Sequence, residues 1–348
     1  MVPDKNKIKV LVVDESLIFR EVIKRGLSID PLIDVVATAK DAYDACDKIL
    51  EYKPDVMTCD IQLPKMSGIE FIRRLLPQYP LPVIIVSAVS RDVFNALNAG
   101  AIEFVAKPNI DSSVDVKEFL NNLNAKIKIA STVKVTQERK TEHSNGNKTE
   151  NNEFSSVKKL IAIGASTGGT EAIYSILKAL PPSVPGIVVV QHIPPVFSRM
   201  FAERLNTTTN LAVKEAENGD FLETGKVLIA PGNKHMRVKK IGDRFKVECF
   251  HGEKVNGHCP SVDILFESVA KEAGDKALGI ILTGMGHDGA KGLYAMKRKG
   301  AITIGQDEKS SVVYGMPKVA YEMGAVMQQA PLDVIPQLIF MHLKEDNY

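Results

Sequence analysis

The sequence predicts two α/β domains, each built on a mainly parallel β-sheet. The chain has 348 residues, more than one typical domain of roughly 100–200 residues. Short Val- and Ile-rich runs alternate with longer helical patterns in both halves, which is typical of parallel sheets with helices on both faces. A polar stretch separates the halves. We therefore expect one domain at residues 1–130, a flexible polar linker at 131–156 and a second domain at 157–348.

Composition excludes several classes of protein. The formal net charge of +2 creates no strong field, so neither nucleic acid nor an anionic membrane is expected as the main partner. The four cysteines stand far apart without a CxxC pair, which favours reduced thiols over a disulfide framework. No stretch reaches the ~18 apolar residues of a membrane helix. We expect a cytoplasmic protein that does not insert into a membrane.

The first domain is predicted to contain five βα units between residues 8 and 129. Parallel strands need long right-handed crossovers, which the helical patterns between the strands supply. This predicts a flavodoxin-like five-stranded parallel sheet with its functional site at the carboxyl ends of the strands. The five strand-like runs are IKVLVV, DVVATA, DVMTC, PVIIVS and IEFVA.

Polar side chains stand at four of these strand ends. Asp14 and Glu15 follow the first strand, Asp60 follows the third, Ser87 ends the fourth, and Lys107 follows the fifth. Three carboxylates packed together repel unless a cation joins them, and their oxygen atoms suit Mg²⁺. A single acid at a strand end is more commonly a helix cap, but the whole set predicts a metal and phosphate site.

Residues 8–128 resemble the receiver domain of bacterial two-component systems. The resemblance implies that Asp60 accepts a phosphoryl group from a histidine kinase, and that Asp14, Glu15 and Asp60 bind Mg²⁺. It also implies that Ser87 and Lys107 sense the phosphoryl group. Glu15 departs from the family pattern, which usually has a second aspartate there. Its side chain is one methylene longer, which bears on the metal geometry.

The second domain is predicted to be a doubly wound, mostly parallel α/β sheet with an added β-hairpin. Helical patterns follow Thr170, Val196, Val262 and Ala290. The hairpin is expected where an alternating segment surrounds Gly242-Asp243, a pair suited to a tight turn. The strand-like runs are KKLIAIG, GIVVVQ, KVLIA and LGIILT, and the hairpin segment is HMRVKKIGDRFKVECF.

A glycine-rich turn around Ser166 is compatible with two chemistries. A G-x-S-x-G turn exposes a serine nucleophile, whereas a glycine-rich turn before a helix can also hold a phosphate. A dinucleotide site would have glycine in place of Ser166 and an acid about 20 positions later. The next strand ends instead in Gln191-His192, and a histidine is the general base that a serine nucleophile uses. We favour the serine hydrolase over nucleotide binding.

The candidate that orients His192 is Asp288, in a second glycine-rich turn after LGIILT. The alternative is that Asp288 only caps a helix. The order Ser166, His192, Asp288 differs from the usual α/β-hydrolase order of serine, acid, histidine, so a different fold is expected. The backbone N–H groups of Thr167 and Met285 are the candidate oxyanion donors.

Residues 158–345 closely resemble the catalytic domain of the chemotaxis receptor methylesterases. The resemblance implies phosphorylation-activated hydrolysis of glutamate methyl esters on the cytoplasmic helices of chemoreceptors, with release of methanol and often deamidation of glutamines. Ser166, His192 and Asp288 match the catalytic residues of the family, which needs no cofactor for this reaction. The segments that carry the resemblance are IAIGASTGGTEAI, QHIPPVFSRMFAERL, IAPGNKHM, PSVDILFESVA and LTGMGHDGAKGL.

Three points stay open in the sequence. In VNGHCPSVD, Gly257 and Cys259 stand where the family often has basic residues, which bears on receptor contacts. His235 and His258 are possible extra bases, but histidines in hairpins and loops are more commonly surface or packing residues, so neither displaces His192. The rival function is a non-enzymatic response regulator whose second domain binds a nucleotide or a partner.

Overall fold

A computed structural model describes residues 7–88, 92–133 and 160–344. The chain forms two compact units, Met1–His143 and Ser144–Tyr348. The predicted linker at 131–156 lies outside the described residues apart from its first three. The bounds of the two predicted domains therefore stay predictions.

The first unit is a five-stranded parallel sheet with the strand order β2-β1-β3-β4-β5, which confirms the predicted flavodoxin-like architecture. The inner strands are buried, since helices cover both faces of a parallel sheet. Its elements are β1 (Ile8–Val13), α1 (Leu17–Leu27), β2 (Ile33–Ala39), α2 (Ala42–Tyr52), β3 (Val56–Cys59), α3 (Gly68–Leu75), β4 (Val83–Ser87), α4 (Val93–Asn98), β5 (Glu103–Ala106) and α5 (Ser113–Ala130).

The core of the first unit forms where helices pack on this sheet. Leu123 and Ile127 of α5 are fully buried in one cluster with Val12 and Ile84 of the central strands. The apolar residues of α5 recur at a spacing of four, which places them on one face of the helix. This packing leaves the carboxyl ends of β1, β3, β4 and β5 together at one edge.

The second unit contains the remaining elements. These are β6 (Leu160–Ala165), α6 (Gly169–Ala179), β7 (Gly186–Gln191), α7 (Pro195–Thr208), β8 (Ala212–Glu215), β9 (Lys226–Ile229), β10 (His235–Ile241), β11 (Arg244–Phe250), α8 (Val262–Glu272), a 3₁₀ turn (Gly274–Lys276), β12 (Ala277–Ile281), α9 (Ala290–Arg298), β13 (Ile302–Gln306), α10 (Met316–Glu322), β14 (Gln328–Ala330) and α11 (Ile335–Lys344). In the described part of the chain, no helix has the length and apolar character needed to cross a membrane.

Seven of these strands form a parallel sheet in the order β14-β13-β12-β6-β7-β9-β8. The chain starts at the central strand β6, builds one side of the sheet as far as β8, and then returns to place β12 on the other side of β6. The prediction of a doubly wound sheet is therefore confirmed. Ligand sites in such sheets lie where the winding direction reverses, at the carboxyl ends of the strands. Here that point is between β6 and β12.

The predicted hairpin is present as the antiparallel pair β10 and β11, in register from His235 opposite Phe250 to Ile241 opposite Arg244. It packs on α8, and the Val238 N–H donates to Ser268 Oγ at 2.9 Å. At the turn, Gly242 has a φ of +58°, a left-handed value that glycine adopts readily. A positive φ at the first central residue alone is characteristic of a type II′ turn.

Candidate functional sites

The turn that carries Ser166 is fixed by backbone hydrogen bonds at the end of β6. The Ser166 N–H donates to the Thr283 carbonyl at 3.0 Å, and the Ser166 carbonyl accepts from the Gly169 N–H at 2.8 Å. Gly168 has a φ of +75°, which lets the chain reverse sharply into α6. Ser166 is thus presented at the start of a helix, at the edge where the sheet changes winding direction.

His192 is brought beside Ser166 by strand pairing. Ala165 of β6 lies opposite Gln191 of β7, and the His192 N–H donates to the Ala165 carbonyl at 3.1 Å. The Gln191 side-chain amide donates to the Ser166 carbonyl at 2.8 Å. A side chain at Gly169 would place its Cβ 2.1 Å from Gln191 Oε1, so this glycine makes room for the amide. Gln191 was not predicted as a site residue.

Asp288 lies in the glycine-rich turn that follows β12 and forms a hydrogen bond with His192. Asp288 Oδ2 lies 2.9 Å from His192 Nε2, and the carboxylate is 1% exposed. Four further donors surround it, namely Val262 N–H at 2.7 Å, Asn256 Nδ2 at 2.8 Å, Ser261 Oγ at 2.8 Å and Asp263 N–H at 3.3 Å. Asp288 therefore lies at the start of α8 as well as against His192.

Electrostatics keeps this carboxylate ionised. Burial acts to raise the pKa of Asp288, but the hydrogen bonds from His192, Asn256 and Val262 outweigh it and hold that pKa well below its ordinary value. An ionised Asp288 accepts the Nε2 proton of His192. His192 Nδ1 is buried without a hydrogen-bond partner in the described structure, so Nδ1 is the ring nitrogen left to take a proton.

The loop before α8 contributes residues that sequence reasoning missed. Asn256 Nδ2 bridges Asp288 Oδ1 and Asp263 Oδ2, at 2.8 Å from each. Asp263 is buried, and burial together with the nearby Asp288 raises its pKa. Ser261 caps α8 through its hydroxyl, and a serine before a helical pattern is a signal that could have revealed it. No sequence signal distinguishes Asn256 from an ordinary loop residue.

The two other histidines named from the sequence have different surroundings. His235 is buried, with Nε2 2.8 Å from the Glu253 carbonyl and Nδ1 accepting from the Ser261 N–H at 3.2 Å, so it packs and ties the loop to the hairpin. The His258 ring stacks on the His192 ring with a centroid distance of 3.7 Å and an interplanar angle of 7°.

The candidate oxyanion donors lie at the two turns that meet beside Ser166. Thr167 follows Ser166 directly, and Met285 lies in the turn after β12. A Cβ on Gly284 would lie 2.7 Å from Ser166 Cβ, so the two turns are in direct contact. The Met285 side chain is 51% exposed, which leaves it at the mouth of the site. Thr167 and Met285 stay predictions for this role.

In the first unit, Asp14, Asp60 and Lys107 form a buried cluster at the strand ends. Lys107 Nζ donates to Asp60 Oδ2 at 2.5 Å and lies 2.8 Å from Asp14 Oδ2. The contact with Asp14 is an ion pair, and Asp14 Oδ2 accepts no further hydrogen bond among the described residues. Ser87 is buried, and its carbonyl accepts from the Lys107 N–H at 2.8 Å.

Burial and charge act in opposite directions within this cluster. Burial raises the pKa of Asp14 above its ordinary value, although Lys107 acts to lower it. Burial would lower the pKa of Lys107, but its contacts with Asp14 and Asp60 raise it. The lysine therefore stays charged and compensates the two carboxylates, one of which is the candidate phosphoacceptor.

Glu15, the third predicted metal ligand, is exposed. Within the described ranges, no group of three or more His, Cys, Asp or Glu side chains is close enough to hold a metal ion. The structure therefore gathers Asp14 and Asp60 but leaves the predicted third metal ligand apart. Sequence reasoning also missed Arg20, whose guanidinium donates to the carbonyls of Asp14 at 2.6 Å and Glu15 at 2.9 Å.

Fold and geometry together define the class of protein: an α/β serine hydrolase unit joined in one chain to a receiver-like unit. Residues 161–339 match the family model described as CheB methylesterase, and residues 10–116 match the response regulator receiver domain. The chain belongs to the CheB methylesterase family.

Relatives of this chain support its membership of the family over nearly its full length. A protein-glutamate methylesterase/protein-glutamine glutaminase of Syntrophomonas wolfei is 58% identical, with 96% of this chain and 97% of the relative covered. A protein of that name from Syntrophotalea carbinolica is 47% identical over 96% and 97% of the two chains. The crystal structure of the Thermotoga maritima CheB methylesterase catalytic domain is similar with a TM-score of 0.52 and 38% identity, covering 53% of this chain and 97% of that one.

Proposed function

We propose that the chain is a phosphorylation-activated protein-glutamate methylesterase of bacterial chemotaxis, which also deamidates receptor glutamines. Its substrates are methyl esters of glutamate side chains on the cytoplasmic helices of chemoreceptors, and it acts in the cytoplasm. The observation that carries this is the 2.9 Å contact between His192 and Asp288 beside Ser166, at the point where the sheet reverses its winding. The name of the Syntrophomonas relative supports both activities.

The geometry supports a two-step acyl transfer. Ser166 Oγ attacks the ester carbonyl while His192 Nδ1 accepts the serine proton, and Asp288 stabilises the resulting imidazolium. The oxyanion is bound by the N–H groups of Thr167 and Met285. His192 then gives its proton to the leaving methoxide, so methanol departs and a glutamyl ester of Ser166 remains.

Water completes the cycle. His192 takes a proton from the attacking water and returns it to Ser166 as the carboxylate is released. A glutamine side chain follows the same steps with ammonia as the leaving group. The rival reading, a non-enzymatic regulator with a nucleotide- or partner-binding domain, is not favoured, because Gln191 fills the space beside Gly169 and an acid–histidine pair adjoins the serine.

For regulation, we propose that Asp60 accepts a phosphoryl group from a histidine kinase and that the modified unit activates the esterase. Asp14 and Asp60 would hold Mg²⁺, and Asp14 Oδ2, which is buried and ion-paired with Lys107 Nζ at 2.8 Å, is an anionic oxygen of the kind that this cation prefers. Glu15 remains the predicted third ligand. The cation supplies charge neutralisation for a group that adds about −1.5 to −2 charges. Lys107, which donates to Asp60, and Ser87 at the end of the neighbouring strand β4 would contact the phosphoryl oxygens.

Methanol release from methylated receptor cytoplasmic fragments tests the proposal, with and without a small-molecule phosphodonor. Ser166→Ala should reduce the rate by about 10⁶-fold, because the three residues act as a unit. The matched control is Ser175→Ala, at an exposed serine of α6, which should keep parent activity. Substantial methanol release by Ser166→Ala would exclude the serine mechanism.

The same assay tests the switch. Asp60→Asn should keep the basal rate and lose the response to phosphodonor, because the amide cannot form an acyl phosphate. Asp47→Asn, at an exposed aspartate of α2, should respond like the parent. If Asp60→Asn is still activated by the phosphodonor, Asp60 is not the phosphoacceptor.

A further inference from the structure

His258 lies in the loop between β11 and α8, directly over the face of His192. Reciprocal backbone hydrogen bonds join Val255 and His258, each with an N–H to carbonyl distance of 2.9 Å. These bonds fix the backbone that carries the His258 ring. The ring stacks on His192 almost in parallel, with 3.7 Å between centroids.

We propose that His258 is a positioning residue that acts through His192. It holds the plane of the catalytic imidazole and presents a π face to the imidazolium that forms in each acyl-transfer step. This inference rests on the proposed function and extends it to a residue that makes no bond to substrate.

The stack adds a second restraint on the orientation of the His192 ring. Its side chain is 7% exposed, and the hydrogen bond that holds the ring runs from Nε2 to Asp288. A ring held along one edge can still tilt about that bond, which would swing Nδ1 away from Ser166. A second ring in parallel contact restricts this tilt and so fixes the plane of the imidazole.

The same segment also holds the acid. Asn256 and Ser261 both donate to Asp288 Oδ1 at 2.8 Å, and they flank His258 in sequence. Residues 255–263 therefore contact the acid and the base of the triad at once. The stack is part of this arrangement and not an isolated surface contact.

The chemistry of the stack predicts which substitutions it tolerates. When His192 gains a proton, an aromatic face in contact with it stabilises the positive charge, whereas an aliphatic side chain of similar size does not. Phenylalanine at position 258 can replace both functions of the histidine ring. Leucine can fill the space but offers no π face.

The test compares His258→Phe and His258→Leu in the full chain, with methanol release resolved into kcat and KM. We expect about a tenfold fall in kcat for His258→Leu, the scale of a cation–π contact, with KM within about twofold of the parent. His258→Phe should keep kcat within about threefold. His251→Leu, at an exposed histidine of the same loop, is the matched control and should match the parent.

A second readout does not depend on activity. In nuclear magnetic resonance spectra, a stacked ring moves the His192 ring-proton signals upfield, and this shift should persist in His258→Phe and vanish in His258→Leu. Equal kcat values for Leu and parent, or equal losses for Leu and Phe, would overturn the positioning role. If the parent itself releases no methanol, the proposed function fails, and an absent upfield shift in the parent would overturn the stack separately.

Discussion

At the scale of single residues, Asp288 illustrates how hydrogen bonds stabilise a buried negative charge. A carboxylate removed from water is costly unless hydrogen bonds replace its hydration. Asp288 receives donors from His192, from two side chains of the preceding loop and from the first turn of α8. The positive end of that helix adds to the stabilisation. The acid is therefore ionised and oriented before any substrate arrives.

Replacing Asp288 by asparagine should lower kcat for methanol release by about 10³–10⁴-fold, because an amide leaves His192 in the wrong tautomer.

The same substitution should also change how the stability of the fold depends on pH. The pKa of Asp288 is lower in the folded chain than in the unfolded chain, so the carboxylate stabilises the fold above the unfolded pKa of about 3.9. That contribution, on the order of 2 kcal/mol, is lost as the pH falls toward the folded pKa.

Urea unfolding of the parent protein and of the Asp288→Asn variant, between pH 7 and pH 3, measures this contribution to the unfolding free energy. The difference in unfolding free energy should be largest at pH 7 and should shrink once the pH drops below about 4. A difference that grew with acidification would contradict the assignment of an ionised, hydrogen-bonded Asp288.

The position of Ser166, His192 and Asp288 at one edge of the sheet could be predicted because the strand ends of a parallel sheet share that edge, whereas their catalytic roles stay predictions. Ser166, His192 and Asp288 each follow an apolar run, so their convergence needed only the strands to be identified. The contact of Asn256 with Asp288 and the stack of His258 on His192 could not be predicted in this way, because the path of their loop is set by tertiary contacts with His235 and α8. Glu15 is next to Asp14 in sequence, but it is exposed, and no three acidic side chains come together there among the described residues. Its role as a metal ligand stays a prediction.

At the scale of elements, the strands of the second unit that were missed are β8, β13 and β14, which are short or weakly patterned. β8 and β14 are edge strands of four and three residues, and β14 reads Gln-Gln-Ala, with no alternation of apolar and polar side chains. Their strand conformation follows from pairing with β9 and β13. By contrast, the central strands are continuous apolar runs, which is the pattern of strands buried on both faces.

The hairpin turn gives a prediction about backbone conformation. Gly242 has a φ of +58° and open space around a potential Cβ, so Gly242→Ala meets no clash. The cost should come from the left-handed backbone alone, about 1 kcal/mol of unfolding free energy. Chemical denaturation measures it, and Asp243→Ala at the next turn position should change stability by less than about 0.5 kcal/mol. An unchanged stability in Gly242→Ala would show that the turn does not adopt this conformation.

At the scale of the whole molecule, each unit has its own hydrophobic core. Leu123 belongs to the core cluster of the first unit and Phe266 to that of the second, and both are fully buried. Units with separate cores are expected to unfold as separate cooperative steps. The two domains predicted from the sequence should therefore appear as two unfolding transitions.

Calorimetry of the full chain should resolve two transitions. Leu123→Ala should lower one of them, at a cost of about 2–5 kcal/mol, and Phe266→Ala should lower the other, at about 3–5 kcal/mol. Each substitution serves as the control for the other. One transition that both substitutions shift equally would show that the two cores unfold together.

The order of strands in the seven-stranded sheet also affects how the site survives thermal fluctuation. β6, β7 and β12, which carry the serine, the histidine and the acid, are all interior strands with a neighbour on each side. Fraying begins at the edges of a sheet, here β8 and β14, where fewer hydrogen bonds must break. The outermost strands can therefore open and close transiently while the side chains of the proposed triad keep their mutual distances.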